Sequence, residues 1–283
     1  MKRMNIRGAF GLAIMLSWMS CTENTTTNET TETQEEMSNH AHDHRHYAND
    51  THSFGEPNKV AATKLHLDIA VDFDEKMISG FAQYELERHE GNELILDVKN
   101  LSIKSVNEID GAPLSFEIVK GDKQGDALKI ALKDSTQGVS IAYNTNPNSD
   151  AVLWMEPEQT LGKTAPFLFT QGQAVLTRSW IPVQDSPAIR LTYTAEVSVP
   201  EGMLAVMSAS NPEEKNESST YSFEMKQPIP CYLIALSIGK LEYKSLGARS
   251  GVYAEPSMIE ASHQEFEDLE KMIDAAVNLY GPY

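Results

Sequence analysis

Cysteine is nearly absent. Two occur, Cys21 and Cys231, and only Cys231 is left with a free thiol once a leader is processed, so no intramolecular disulfide can tie the mature fold together. Basic residues are also scarce, with 23 Lys and Arg against 41 Asp and Glu, a formal net charge of -18 and a pI near 4.8. A phosphate backbone is bound by clustered Lys and Arg, which excludes nucleic acid as a partner. Acidity on this scale serves solubility. The apolar run at residues 9–19 is shorter than the roughly 20 residues that a helical span needs.

That run is better explained as part of a leader. Lys2, Arg3 and Arg7 precede it, and Ser20 and Cys21 follow, which is the order of a positive segment, an apolar segment and a cut site. Residues 1–21 therefore read as an export signal. Cys21 directly after Ser20 resembles the lipidated cysteine of a bacterial lipobox. Two outcomes stay open, a cell-envelope lipoprotein held to the membrane only through that lipid, and a periplasmic or secreted protein. Residues 22–53 are Thr, Asn, Glu and His with almost no large apolar side chains, too little to bury, and read as a flexible tether. Within it His40, His42, His44 and His46 alternate, with His52 nearby. Zinc or copper could bridge such a row on an extended chain, but no fixed backbone holds the geometry, and a solvated, pH-sensitive linker is the reading preferred.

Residues 54–243 read as a β domain. The clearest strand has Ile189, Leu191, Tyr193, Ala195, Val197 and Val199 at every second position, with Arg190, Thr192, Thr194, Glu196 and Ser198 between them, the period of a half-buried strand. Pro200, Glu201 and Gly202 then turn the chain, and residues 204–208 are expected to return as its partner strand. Leu65, Leu67, Ile69 and Val71 alternate in the same way. Further short strands are expected at 80–86, 94–98, 101–106, 128–132, 139–143 and 221–225, separated by polar turns, which suits a sandwich or curved sheet. Residues 144–163 read as a long loop in which Trp154 caps a core edge. Residues 231–238 are nearly all apolar and should form a central strand buried on both faces, with Cys231 an inert buried thiol. Arg178 and Asp185 are expected to pair and pin the 182–187 loop. His66 and His89 fall at outward or turn positions and read as surface histidines.

From 244 onward the chain reads as the start of a second unit. Residues 251–254 continue the β character, and Pro256 and Ser257 open one helix with Phe266, Leu269, Met272, Ile273 and Ala276 at helical spacing. Gly281 and Pro282 stop it. The order H-Q-E-F-E from His263 is not a zinc motif.

Several long motifs then carry a resemblance. FLFTQGQA at 167–174, Arg178, PVQDSP at 182–187 and LTYTAEVSVP at 191–200 stand in one order with LHLDIAVDFDEKMISGFAQYEL at 65–86, LILDVKNLSIKSV at 94–106, LWMEPEQTLGKTAPFLF at 153–169 and PIPCYLIALSIGKLE at 228–242. Over roughly residues 54–283 the sequence resembles the zinc aminopeptidases of the leukotriene A(4) hydrolase type. The resemblance implies a mainly β chain, a saddle-shaped antiparallel β-sandwich followed by the first strands and helix of a truncated α/β zinc-peptidase domain. It also implies that Gly172, Gln173 and Ala174 contact peptide substrates, with Gln171 a further candidate. The amide oxygen of Gln173 accepts from a substrate α-ammonium.

The family's G-x-M-E-N loop and H-E-x-x-H helix are not in the sequence. The resemblance thus implies the front part of a longer enzyme, whose zinc and catalytic domain lie on residues not supplied, and a chain inactive by itself. A membrane-tethered β module that binds peptides or partners without catalysis is the alternative, and a metal-capturing lipoprotein a weaker third. Lipidation has a direct test. Cys21→Ser should abolish metabolic labelling with a radioactive fatty acid and move the protein from the membrane to the soluble fraction; label that survives would place the lipid elsewhere.

Overall fold

The structure, a computed structural model, describes residues 46–282. The leader, Cys21, His40, His42 and His44 lie outside the described residues. His46 is exposed.

The chain opens with a long hairpin, β1 (Val60–Asp72) and β2 (Met77–Arg88). Its turn is tied by the Asp72 carboxylate, which accepts from the N–H of Asp74 and of Glu75. Then come β3 (Glu93–Val98), β4 (Ser102–Glu108), β5 (Phe116–Asp122), β6 (Gly125–Ala131), β7 (Gly138–Asn144), β8 (Val152–Met155) and β9 (Phe167–Thr170). After an irregular stretch follow β10 (Arg190–Ser198), β11 (Leu204–Met207), β12 (Thr220–Pro230), β13 (Leu236–Gly239), β14 (Glu242–Ser245) and β15 (Gly251–Ala254). Two helices end the described chain, α1 (Ile259–Glu265) and α2 (Leu269–Tyr280).

Among the described residues the strands make a six-stranded sheet in the order β12-β10-β1-β2-β7-β4, a four-stranded sheet β11-β13-β9-β8, a three-stranded sheet β3-β6-β5, and the hairpin β14-β15. The mainly β expectation holds. Pairing is antiparallel except between β1 and β10, which run parallel from Lys64↔Thr192 to Ala70↔Ser198. Alternation explains the layers. Leu65, Leu67, Ile69 and Val71 of β1 are buried, as are Leu191, Tyr193, Ala195 and Val197 of β10, while Lys64, Asp68 and Asp72 face solvent. The buried faces of all three sheets share one core, from Leu67 and Tyr193 through Leu96 and Leu128 to Leu168 and Ile238.

Several sequence expectations are corrected. The turn at 200–202 forms, with Gly202 at φ +79 and Met203 N–H donating to Pro200 O. Yet β11 does not return beside β10: it pairs with β13 in the four-stranded sheet, because β1 and β12 already occupy both edges of β10. Residues 231–238 are not one strand. Cys231–Leu233 forms a 3-10 turn with Leu233 exposed, and only β13 continues as a central strand. The supposed loop at 144–163 contains β8, and Trp154 on it meets the Phe73 ring edge-on at 5.5 Å. The single C-terminal helix is two, interrupted at 266–268, where Glu267 and Asp268 suit the positive N-terminal end of α2. No residue of α2 is buried; Arg249 holds it through Glu270 (3.0 Å) and Asp274 (2.7 Å).

Residues 46–53, assigned to the tether, are packed onto the domain. Tyr47 is buried with Ala61 and Ile189 and trades two hydrogen bonds with Asn58. The carbonyl of His52 and the hydroxyl of Ser53 reach further in, to a buried charge cluster. Arg178, fully buried, donates from Nε to Asp185 Oδ2 (3.0 Å) and from Nη2 to His52 O (2.8 Å), and its Nη1 stands 3.7 Å from Asp97. Asp97 on β3 accepts from Ser53 Oγ (2.6 Å), Phe54 N–H (2.7 Å) and Asp185 N–H (2.8 Å). Burial pushes the Asp97 carboxyl above its usual range, opposed by Arg178 and these donors. Removing Arg178 would leave two carboxylates buried beside each other. Arg178→Met should cost about 3–5 kcal/mol in urea unfolding, and a loss below about 1 kcal/mol, the size of a surface pair, would contradict the role given to the cluster.

Candidate functional site

The candidate residues stand together at the exit of β9. Thr170 closes that strand, its hydroxyl accepting from Leu236 N–H (2.9 Å), and Gln171 N–H donates to Ala151 O (2.8 Å). The loop that follows is short and closed on itself. Leu176 N–H donates to Gly172 O at 2.8 Å, and Gln173 N–H donates to the side-chain oxygen of Gln171 at 3.1 Å. The amide oxygen of Gln171 is thus engaged inside the loop.

Gly172 is buried and pressed against another segment. A Cβ there would stand 2.5 Å from Thr177 Oγ1 and 2.8 Å from Tyr232 O, a closeness that suits glycine. Beyond it Gln173 and Ala174 are exposed, joined by a cis peptide bond. The Gln173 side-chain amide makes no hydrogen bond with any described residue. Its oxygen is an acceptor, and its nitrogen a donor, presented to solvent from a fixed base.

That base is the irregular stretch 175–189, buried over most of its length. Thr177 to Ser186 are almost wholly covered, and several of their polar groups find partners on other elements. Ser179 Oγ accepts from Ala151 N–H ahead of β8 (2.9 Å), Pro182 O accepts from Tyr84 of β2, and Gln184 bonds both Val60 O (2.9 Å) and Ala62 N–H (3.0 Å) at the irregular start of β1. The expected Arg178–Asp185 pair sits in the middle. Thr177 and Tyr232 were not singled out from sequence, since nothing local shows that the 231–233 turn lies under Gly172.

The residues described here do not fit zinc. Among them no three His, Cys, Asp or Glu side chains converge as ligands. Cys231 Sγ lies 3.0 Å from Asp185 Oδ1. There burial, then the neighbouring carboxylate, pushes the thiol well above its usual range, and the guanidinium of Arg178 already pairs with that carboxylate. His66 faces Thr194 Oγ1, and His263 faces Ser245 O.

This architecture, a multi-sheet β domain with a buried, cross-linked loop presenting Gln173, has counterparts among peptidases. The family model for the peptidase M1 N-terminal domain matches residues 43–233, and the chain belongs to that family. It is 38% identical over 247 residues to leukotriene A-4 hydrolase of Xenopus laevis, covering 83% of this chain and 40% of that protein. It is also similar to aminopeptidase B, with 50% identity over 133 residues to the rat protein, 47% of this chain and 20% of that one, and 37% over 210 residues to the human protein, 72% and 32%. Of solved structures, native yeast LTA4 hydrolase superposes with a TM-score of 0.77 at 31% identity, over 83% of this chain and 38% of that one. The chain therefore spans two fifths or less of these relatives.

The environment of Cys231 has its own check. A thiol held neutral and covered should stay unmodified when the native protein is treated with iodoacetamide at pH 8, and react after unfolding, as read by peptide mass mapping. Rapid labelling in the native state would mean that the 231–233 turn is open.

Proposed function

We propose that this chain is the substrate-contacting β part of an exported zinc metallo-aminopeptidase, one that removes N-terminal residues from peptides. Membership of the M1 N-terminal-domain family and the likeness to aminopeptidase B support the peptidase reading. Lys2, Arg3 and Arg7 ahead of the apolar run support export, with Cys21 the lipid attachment point. The zinc of this reading belongs to residues outside this sequence. What this chain supplies is grip and orientation.

The observation that carries the site is Gln173, exposed and with its amide uncommitted, on a loop whose base is buried and bonded to its neighbours. A peptide's free α-ammonium has donors that need an acceptor, and a neutral amide oxygen accepts from it without forming an ion pair of its own. Backbone groups of Gly172 and Ala174 flank that oxygen and pair with the peptide. Gln171 serves the loop rather than the substrate, since its oxygen already holds Gln173 N–H.

A hydrogen bond to a charged group contributes about 1.5–3 kcal/mol. Gln173→Ala in the full-length enzyme should accordingly lower kcat/KM on peptide substrates by about 10- to 100-fold, and Gln171→Ala should do less. Unchanged kcat/KM in Gln173→Ala would remove the clamp.

A further inference from the structure

Whatever Gln173 touches, its reach is set by where the loop stands, and three backbone segments meet at a single side chain below it. Thr177 is fully buried at the point where the loop returns. Its hydroxyl donates to the carbonyl of Cys231 (3.3 Å) and is also the nearest atom, 2.5 Å, to the position a Gly172 Cβ would take. Gly172 in turn rests on Tyr232, with O and Cα 2.8 and 3.0 Å from that same position. One hydroxyl thus borders the outgoing limb of the loop, belongs to the returning limb, and is bonded to the 231–233 turn that supports both.

We propose that Thr177 is a positioning residue for the Gln173 contact, acting through the main-chain carbonyl of Cys231. The inference rests on the reading of Gln173 as the acceptor for the substrate's ammonium. Valine at 177 keeps the volume of threonine but lacks the donor. It removes one of two donors to the Cys231 carbonyl, leaving the Ile234 N–H (2.9 Å), and sets a methyl group where the hydroxyl stands beside Gly172, so the limb carrying Gln173 shifts. Serine keeps the donor. The ion cluster is a separate matter, because Arg178, Asp97 and Asp185 make their bonds without the Thr177 hydroxyl.

The experiment uses the full-length enzyme with Thr177→Val, Thr177→Ser, Gln173→Ala and the double variant Thr177→Val/Gln173→Ala, assayed on an aminoacyl-p-nitroanilide. One neutral hydrogen bond and a displaced loop should raise KM about three- to tenfold in Thr177→Val, with kcat and the unfolding midpoint nearly unchanged. Thr177→Ser should restore KM, and Thr177→Val should add nothing in the Gln173→Ala background. A Thr177→Val enzyme that behaves as the parent, or whose penalty persists in full without Gln173, overturns the positioning role. Where Thr177→Val does not fold, Thr177→Ala is judged by the same two criteria. A silent Gln173→Ala would instead bring down the reading of the loop as the clamp, so the two failures are distinguishable.

Discussion

A guanidinium buried between two carboxylates is the constraint around which the described residues are arranged. Taking one such ion out of water costs several kcal/mol even after relaxation, so Arg178 is tolerable inside only with Asp185 at 3.0 Å, the His52 carbonyl at 2.8 Å and Asp97 close by. Asp97 has the same problem and meets it with three donors. Such a cluster is weak evidence of net stability. What it does supply is a constraint on register, because a shift in any one element leaves a charge unpaired.

The elements it joins are far apart in the chain. Asp97 belongs to the three-stranded sheet, Arg178 and Asp185 to the irregular stretch after the four-stranded sheet, and His52 and Ser53 to the segment ahead of β1. Gln184 completes the connection to the six-stranded sheet at the irregular start of β1, where Val60 O and Ala62 N–H find partners on its amide. Loops usually stay at the surface because their backbone groups need water. This one is buried because its groups are answered partly within the stretch and partly from outside it, Pro182 O by Tyr84 of β2, Val183 by Asp97 of β3 and Ser179 O by Ser149 ahead of β8, and what would have been a connection becomes the piece that locks the layers.

The strands with one wet face were legible in the sequence, since β1 and β10 alternate and alternation is a local signal. Arg178 and Asp185 were legible too, the first just ahead of a proline-bounded loop and the second seven residues later within it. Their third partner was not, because nothing near Asp97 shows where β3 lies relative to residue 178. The same holds for the parallel pairing of β1 with β10 and for the transfer of β11 to another sheet, which depend on which edges are free once the core has assembled. β5 escaped notice because it is exposed along its whole length, and β8 because four residues carry little period. Residues 46–53 looked like tether for a physical reason as well: apart from the buried Tyr47, their contribution is made by backbone groups and a serine hydroxyl, which composition does not weigh. At the candidate site the motif pointed to 171–174, while the support under Gly172 came from residues about 60 positions later.

On the proposed reading of Gln173, the arrangement bears on how a neutral amide could read a peptide end at all. The chain's charge of -18 gives a field that draws cationic groups in, but at physiological ionic strength that field fades over about 8 Å, and it falls equally on an N-terminus and on any lysine. Discrimination between them has to come from geometry at short range. A carboxylate in place of Gln173 would hold either cation strongly, from many angles. An amide oxygen offers less energy, and that energy depends on direction, so it favours one ammonium over another only if its own position is fixed to a fraction of an ångström. A loop closed on itself, seated on a neighbouring turn and backed by buried charges that cannot shift independently provides that fixity, and this is why the charge cluster, which touches no substrate, belongs in the account of the site.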